Sequence, residues 1–178
     1  MRVIGGEFRS RRLKSLSGAA LRPTPDRLRE ALFSVLAPRI AGCTFLDAYA
    51  GCGAVGIEAL SRGVSRAVFI EKHGPAARVI RENLRALGAE DRSLVIHGRA
   101  LAHLGRTPAG IVFLDPPYEL ELEYARALEL LGQEPPRLVI VQHSVRLVLE
   151  ESYGGLERTR MLRQGDNVLS FYEPASKQ

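Results

Sequence analysis

The sequence predicts an α/β fold: a mostly parallel, seven-stranded sheet with helices on both faces, a C-terminal antiparallel hairpin and a small basic N-terminal hairpin as an extension. Three observations lead there. Short apolar runs rich in Val, Ile, Leu and Phe recur from residue 43 onward, bounded by turn residues. Between them lie helical patterns that each close on a glycine. After Ser144 the alternation stops, and two strand-like stretches flank a turn around Gly165 and Asp166. Strands alternating with helices build a parallel sheet covered on both faces, whereas adjacent strands joined by a tight turn pair antiparallel.

The first helical stretch is "TPDRLREALFSVLAP", 24–38. Thr24 reads as its cap and Pro25 as its first helical residue, with Leu28, Leu32, Val35 and Leu36 on one face. Strands follow at 43–49, 66–71, 93–98, 110–115 and 137–143. The intervening helices are "VGIEALSRG", "GPAARVIRENLRALG" and "LEYARALELLG". The closing pair is "GLERTRMLRQG" and "NVLSFYEP". With no repeat and no internal linker, residues 1–178 read as one domain, a basic extension over 1–23 and a core over 24–178.

A chain of 178 residues buries roughly 70% of its unfolded surface, enough for a full core. No run approaches the ~20 apolar residues that cross a bilayer, and the basic start "MRVIGGEFRSRRLK" precedes no signal-like apolar block. The expectation is a cytoplasmic protein with no membrane partner. Cys43 and Cys52 offer no disulfide framework, and with four scattered histidines they give no metal-ligand spacing, so no metal is expected. The net charge of +5 is unevenly placed: residues 1–30 hold eight Lys or Arg against three Asp or Glu, and the remainder balances to zero. Of the 25 basic residues 22 are arginine, whose planar fork suits phosphate and base contacts. Arg2, Arg9, Arg11, Arg12, Arg22, Arg27 and Arg29 are therefore the candidate contacts to a nucleic acid.

The first strand runs into "DAYAGCGAVGIEAL", where Gly51, Gly53 and Gly56 satisfy G-x-G-x-x-G at the start of a helix. Glu71 ends the second strand 20 residues after Gly51, where it can accept from ribose hydroxyls. Such a loop fits a nicotinamide dinucleotide or S-adenosylmethionine (SAM). Asp47, at the mouth of the sheet, repels a pyrophosphate and attracts a sulfonium and an ammonium, which favours SAM.

The fourth strand, "GIVFLD", ends in "DPPY". An exocyclic base amine is a poor nucleophile because its lone pair is delocalised into the ring. The Asp115 carboxylate and the Pro116 carbonyl can each accept one N–H and aim that lone pair at a methyl donor. The prolines stiffen the carbonyl, and the Tyr118 ring can stack on a flipped base. No strong base is needed, because the amine becomes acidic as it is methylated.

With "RVIGG", "LRPTPDRLREALFSVL", "FLDAYAGCGAVGIEALSRG", "VFIEK" and "FLDPPY" in this order, the chain resembles the bacterial 16S ribosomal RNA guanine-N2 methyltransferases of the RsmD family along essentially its whole length. The second motif is the most specific of these. The resemblance implies a Rossmann-like SAM-dependent methyltransferase fold, with Asp47, Gly51 and Gly53 at the methionine end of SAM and Glu71 at its ribose. It implies Asp115, Pro116 and Tyr118 at the guanine amine. The implied substrate is 16S ribosomal RNA in assembled or assembling small subunits. One departure stands out: in "IHGRALAHL", Arg99 occupies a place where an acidic residue near the adenine is expected, leaving the backbone at Arg99 and Ala100 to bond the ring.

Three other readings remain open. A small NAD-dependent oxidoreductase shares the glycine loop but leaves the Asp-Pro-Pro-Tyr motif unexplained. A non-catalytic RNA-binding assembly factor would tolerate damage to that motif, which is intact. An N6-adenine methyltransferase on RNA or DNA also needs an amine clamp, and only the N-terminal resemblance separates it. His97, His103, Cys52, Phe171 and Tyr172 read as strand-end, loop or packing residues.

Overall fold

The computed structural model describes residues 1–16 and 24–176. Arg22, one of the candidate RNA contacts, lies outside the described residues. The elements in chain order are α1 (Asp26–Leu36), β1 (Thr44–Asp47), α2 (Ala54–Ser61), β2 (Arg66–Glu71), α3 (Gly74–Leu87), β3 (Ser93–His97), α4 (Ala100–His103), β4 (Ile111–Leu114), α5 (Glu121–Leu131), β5 (Leu138–Ser144), β6 (Ser152–Tyr153), β7 (Leu156–Gln164) and β8 (Asn167–Pro174).

They form one sheet in the order β3-β2-β1-β4-β5-β8-β7-β6. The strands β1 to β5 are parallel, and β8 enters antiparallel against β5 with β7 outside it. Among the described residues the sheet thus has eight strands where the sequence predicts seven; the extra one, β6, pairs only Ser152 and Tyr153 and is too short to leave a periodic signal.

Successive strand residues supply opposite faces. Phe45, Ala67, Phe69, Ile111, Phe113, Leu138 and Ile140 meet α1, α2 and α3 on one side. Leu46, Val68, Ile70, Val112, Leu114, Val139 and Val141 meet α4 and α5 on the other. Burial on both faces explains why the central strands read as continuous apolar runs. The outer strand β7 carries Arg158, Arg160 and Arg163, and most of its free edge extends beyond β6, where charge discourages pairing with other chains.

The N-terminal segment is seated on the core through Val3, Phe8 and Leu13, all buried. It curls back on itself through the Arg2–Arg12 bridge, and Val3 N–H donates to the Arg11 carbonyl at 3.0 Å. Its backbone is satisfied by side chains of α2 and α3. Glu58 accepts from the Ile4 and Gly5 amides at 2.8 and 2.9 Å, and Ser61 Oγ accepts from Phe8 N–H at 2.8 Å. Asn83 Oδ1 accepts from Lys14 N–H at 2.8 Å. A side chain at Gly6 would collide with the Ser61 carbonyl, and its φ is +79°, so both close approach and handedness require glycine there.

The helix α1 departs from the sequence expectation in two ways. It begins at Asp26, with Pro25 in the cap position, because Thr24 turns its hydroxyl toward the sheet instead of capping. Arg29, expected as an RNA contact, is fully buried: its Nη2 donates to the Arg2 carbonyl at 2.9 Å and to Asp26 Oδ1 at 2.7 Å. A guanidinium enclosed in this way cannot reach a phosphate, so Arg29 serves to tie the N-terminal segment to α1.

Candidate active site

A cleft of about 1480 Å³ opens above the carboxyl ends of β1, β2, β4 and β5. In open α/β sheets this is where loops from neighbouring strands diverge and leave room for a ligand. Its walls include Asp47, Gly51, Glu71, Ala100, Asp115, Pro116 and Tyr118, drawn from four parts of the chain into one space. Gly53 lies behind that wall, at the cap of α2 and packed toward Ile80. A side chain at Gly56 would collide with the Phe69 ring, so the third glycine of the motif lets α2 approach β2.

Asp47 is buried, and its Oδ2 accepts from the Gly56 N–H at 3.0 Å, in the first turn of α2. Burial raises its pKa to about 7, with the Gly56 N–H opposing and Glu71 adding to the rise. Asp115, half-buried at the end of β4, is pushed up to about 8 by loss of water and then by Asp47; the Thr24 hydroxyl opposes this. Asp47 disfavours the charge of Asp115, and Glu71 that of Asp47, so together they form a site that a cation relieves.

Glu71 is held at both oxygens: Oε2 accepts from Gly51 N–H at 2.7 Å and Oε1 from His73 N–H at 2.7 Å. Each oxygen keeps a lone pair for a hydroxyl in the cleft. Across the cleft, the buried Pro116 presents a carbonyl that accepts from the Tyr124 hydroxyl at 2.9 Å, leaving one lone pair for another donor. The Tyr118 hydroxyl donates to Asn167 Oδ1 at 2.7 Å. Arg99 is exposed on the cleft rim, next to the buried Ala100 that opens α4.

Four further residues join the site, three of them without a clear mark in the sequence. Thr24 looks like a helix cap, yet its hydroxyl faces Asp115 and lies 3.2 Å from Gln142 Oε1. Gln142 itself carried a signal, as a polar residue in the apolar run of β5. Tyr124 resembles an ordinary core residue of α5, and Asn167 an ordinary turn residue; neither signals a link to residues 116–118. Among the RNA candidates, Arg2, Arg9, Arg11, Arg12 and Arg27 are exposed. Arg11 also donates to the Ala86 carbonyl at the end of α3, at 2.7 Å.

No helix among the described residues is long and apolar enough to cross a membrane, and no cluster of His, Cys, Asp or Glu among them is arranged to hold a metal.

A family profile described as conserved hypothetical protein 95 matches residues 1–173. The protein of Bacillus subtilis (strain 168) named putative rRNA methyltransferase YlbH is 32% identical over 182 residues, spanning 97% of this chain and 98% of that protein. Ribosomal RNA small subunit methyltransferase D of Escherichia coli (strain K12) is 42% identical over 120 residues, which is 66% of this chain and 60% of that relative. Among solved structures, a putative methyltransferase yhhF from Escherichia coli superposes with a TM-score of 0.86 at 34% identity, over 99% of both chains.

Proposed function

The chain belongs to the RsmD family of methyltransferases, and from that premise we propose that it methylates the exocyclic N2 amine of a guanine in 16S ribosomal RNA, using SAM, in small subunits assembled or assembling in the cytoplasm. The observation that carries the reading is one cleft holding the Asp47–Asp115 carboxylate pair, Glu71 and the Pro116–Tyr118 stretch.

These residues fit SAM. Asp47 and Asp115 favour a net cationic ligand, and a pyrophosphate would meet their repulsion. Glu71 offers two oxygens to the ribose hydroxyls, and Ala100 with Arg99 borders the space left for the adenine. When bound, SAM supplies a methyl group activated by its positive sulfur. The chain's own residues prepare the other reactant. Asp115 accepts one N–H of the guanine amine and the Pro116 carbonyl accepts the second, which turns the nitrogen lone pair toward the methyl donor. As the new bond to nitrogen forms, the amine proton leaves to the Asp115 carboxylate or to water. Tyr118 offers its ring face to the extruded base. The surface arginines of residues 1–16 and Arg27 supply the attraction to the RNA backbone.

Calorimetric titration with SAM and with NADH, followed by transfer of labelled methyl groups to small-subunit particles, tests the reading. SAM binding with incorporation into 16S RNA is the expected result. NADH binding without SAM binding would replace it with a dehydrogenase, and SAM binding with no incorporation into any RNA would remove the substrate.

A further inference from the structure

The tyrosine of the Asp-Pro-Pro-Tyr stretch is held by a strand two places along the sheet from β4. Tyr118 OH donates to Asn167 Oδ1 at 2.7 Å, across 49 residues of sequence. Asn167 is the first residue of β8, registered against Ser144 at the end of β5, and both Asn167 and Tyr118 line the cleft. The Gly165–Asp166 turn is pinned beside it by the Val145 N–H, which donates to the Asp166 carbonyl at 3.0 Å. Asn167 is thus fixed by the sheet ladder, whereas Tyr118 sits in the short stretch between β4 and α5, with no strand or helix of its own.

From this geometry we propose that Asn167 is a positioning residue for the methyl transfer: its side-chain oxygen holds the Tyr118 phenol so that the ring face stays presented to the extruded guanine. The proposal rests on the methyltransferase reading above. Stacking on a flipped base requires the ring plane to be set before the base arrives, because fixing it during binding costs side-chain entropy and misplaces the reacting nitrogen. A hydrogen bond from the ring's far end to a strand residue fixes the ring axis, and packing against the apolar cluster on that face of the sheet limits rotation about it. It also gives the C-terminal hairpin a part in substrate binding.

Four variants are compared by steady-state methylation of small-subunit particles, with SAM affinity measured separately: Asn167→Ala, Tyr118→Phe, the double variant and Asn167→Asp. Asn167→Ala and Tyr118→Phe are expected to lose kcat/KM by a similar factor, roughly 10- to 100-fold, with SAM affinity unchanged. The double variant should be no worse than either single one, because both remove the same bond. Asn167→Asp, which keeps the acceptor oxygen, should recover most of the loss. Wild-type kinetics in Asn167→Ala, or losses that multiply in the double variant, would overturn the positioning role. If the wild type methylates no RNA, the functional reading falls instead. The tie then reads separately from the Tyr118 ring resonances, which a broken tie shifts or broadens in Asn167→Ala and which stay unchanged if the tie does not exist.

Discussion

In the proposed mechanism Asp115 carries the amine clamp, so its removal should separate chemistry from cofactor binding. For Asp115→Ala the expected outcome is a loss of kcat by about a hundredfold or more, with SAM still binding in a calorimetric titration; turnover above a tenth of wild type contradicts the clamp. Asp47 gives a prediction in pH. Its folded pKa of about 7 lies above the ordinary 3.8, and that of Asp115 is near 8, so the folded protein keeps protons that the unfolded chain has already lost. Stability therefore falls as pH rises from 3.8 toward about 8 and levels off above. A cationic ligand selects the ionised forms, so SAM binding releases protons and tightens over the upper part of that range, by up to about tenfold per pH unit for each proton released. In Asp47→Asn, which keeps an oxygen for the Gly56 N–H, thermal melts should show a smaller loss of stability between pH 5 and about 8, and calorimetry should show weaker SAM binding with a flatter pH dependence. An unchanged pH profile of stability in that variant would mean that Asp47 is ionised throughout. The placement of Asp47, Glu71 and Asp115 around one cleft was legible in the sequence because each is a carboxylate at the end of an apolar strand, where a charge needs a purpose. Thr24 and Asn167 were not, since a hydroxyl and an amide at element ends have ordinary local uses that mask a distant partner.

At the scale of elements, the N-terminal segment depends on α2. Glu58 is fully buried and accepts from the Ile4 and Gly5 amides and from Arg62 Nε, so truncating it strands several donors at once. Glu58→Ala is expected to cost about 3 kcal/mol in a denaturant melt and to raise hydrogen exchange within residues 1–16 while the central strands stay protected. A stability within about 0.5 kcal/mol of wild type, the range of ordinary surface changes, would mean that the segment is held by its apolar contacts alone. The parallel strands and long helices could be read from the sequence because double-sided burial and a 3.6-residue period leave continuous signals, as in "IVFL" of β4 and the Ile80 and Leu84 face of α3. The docking of residues 1–16 could not. It depends on side chains of α2 and α3 that lie 53 to 69 positions away and bond to backbone rather than forming a periodic pattern.

For the whole molecule, the proposed attraction to RNA rests on charge. The excess lies in residues 1–30, and the structure divides that set: Arg29 is enclosed, while Arg9, Arg12 and Arg27 are exposed. If the last three meet phosphates, replacing them together with serine should flatten the slope of log affinity against log salt by roughly 2 to 3, leave SAM affinity intact and raise KM for the particle. A salt slope unchanged in filter binding would remove these arginines from the RNA contact. The charge excess was legible at once, whereas its division needed the fold, because only packing tells an arginine that ties helices together from one that faces solvent. The proposed function turns on the identity of the methylated atom. It is tested most directly by incubating the purified protein with SAM and small-subunit particles that lack its mark, then digesting the 16S RNA to nucleosides for mass spectrometry. N2-methylguanosine appearing at one site per particle is the predicted result; N6-methyladenosine, or no new methylated nucleoside, would contradict it.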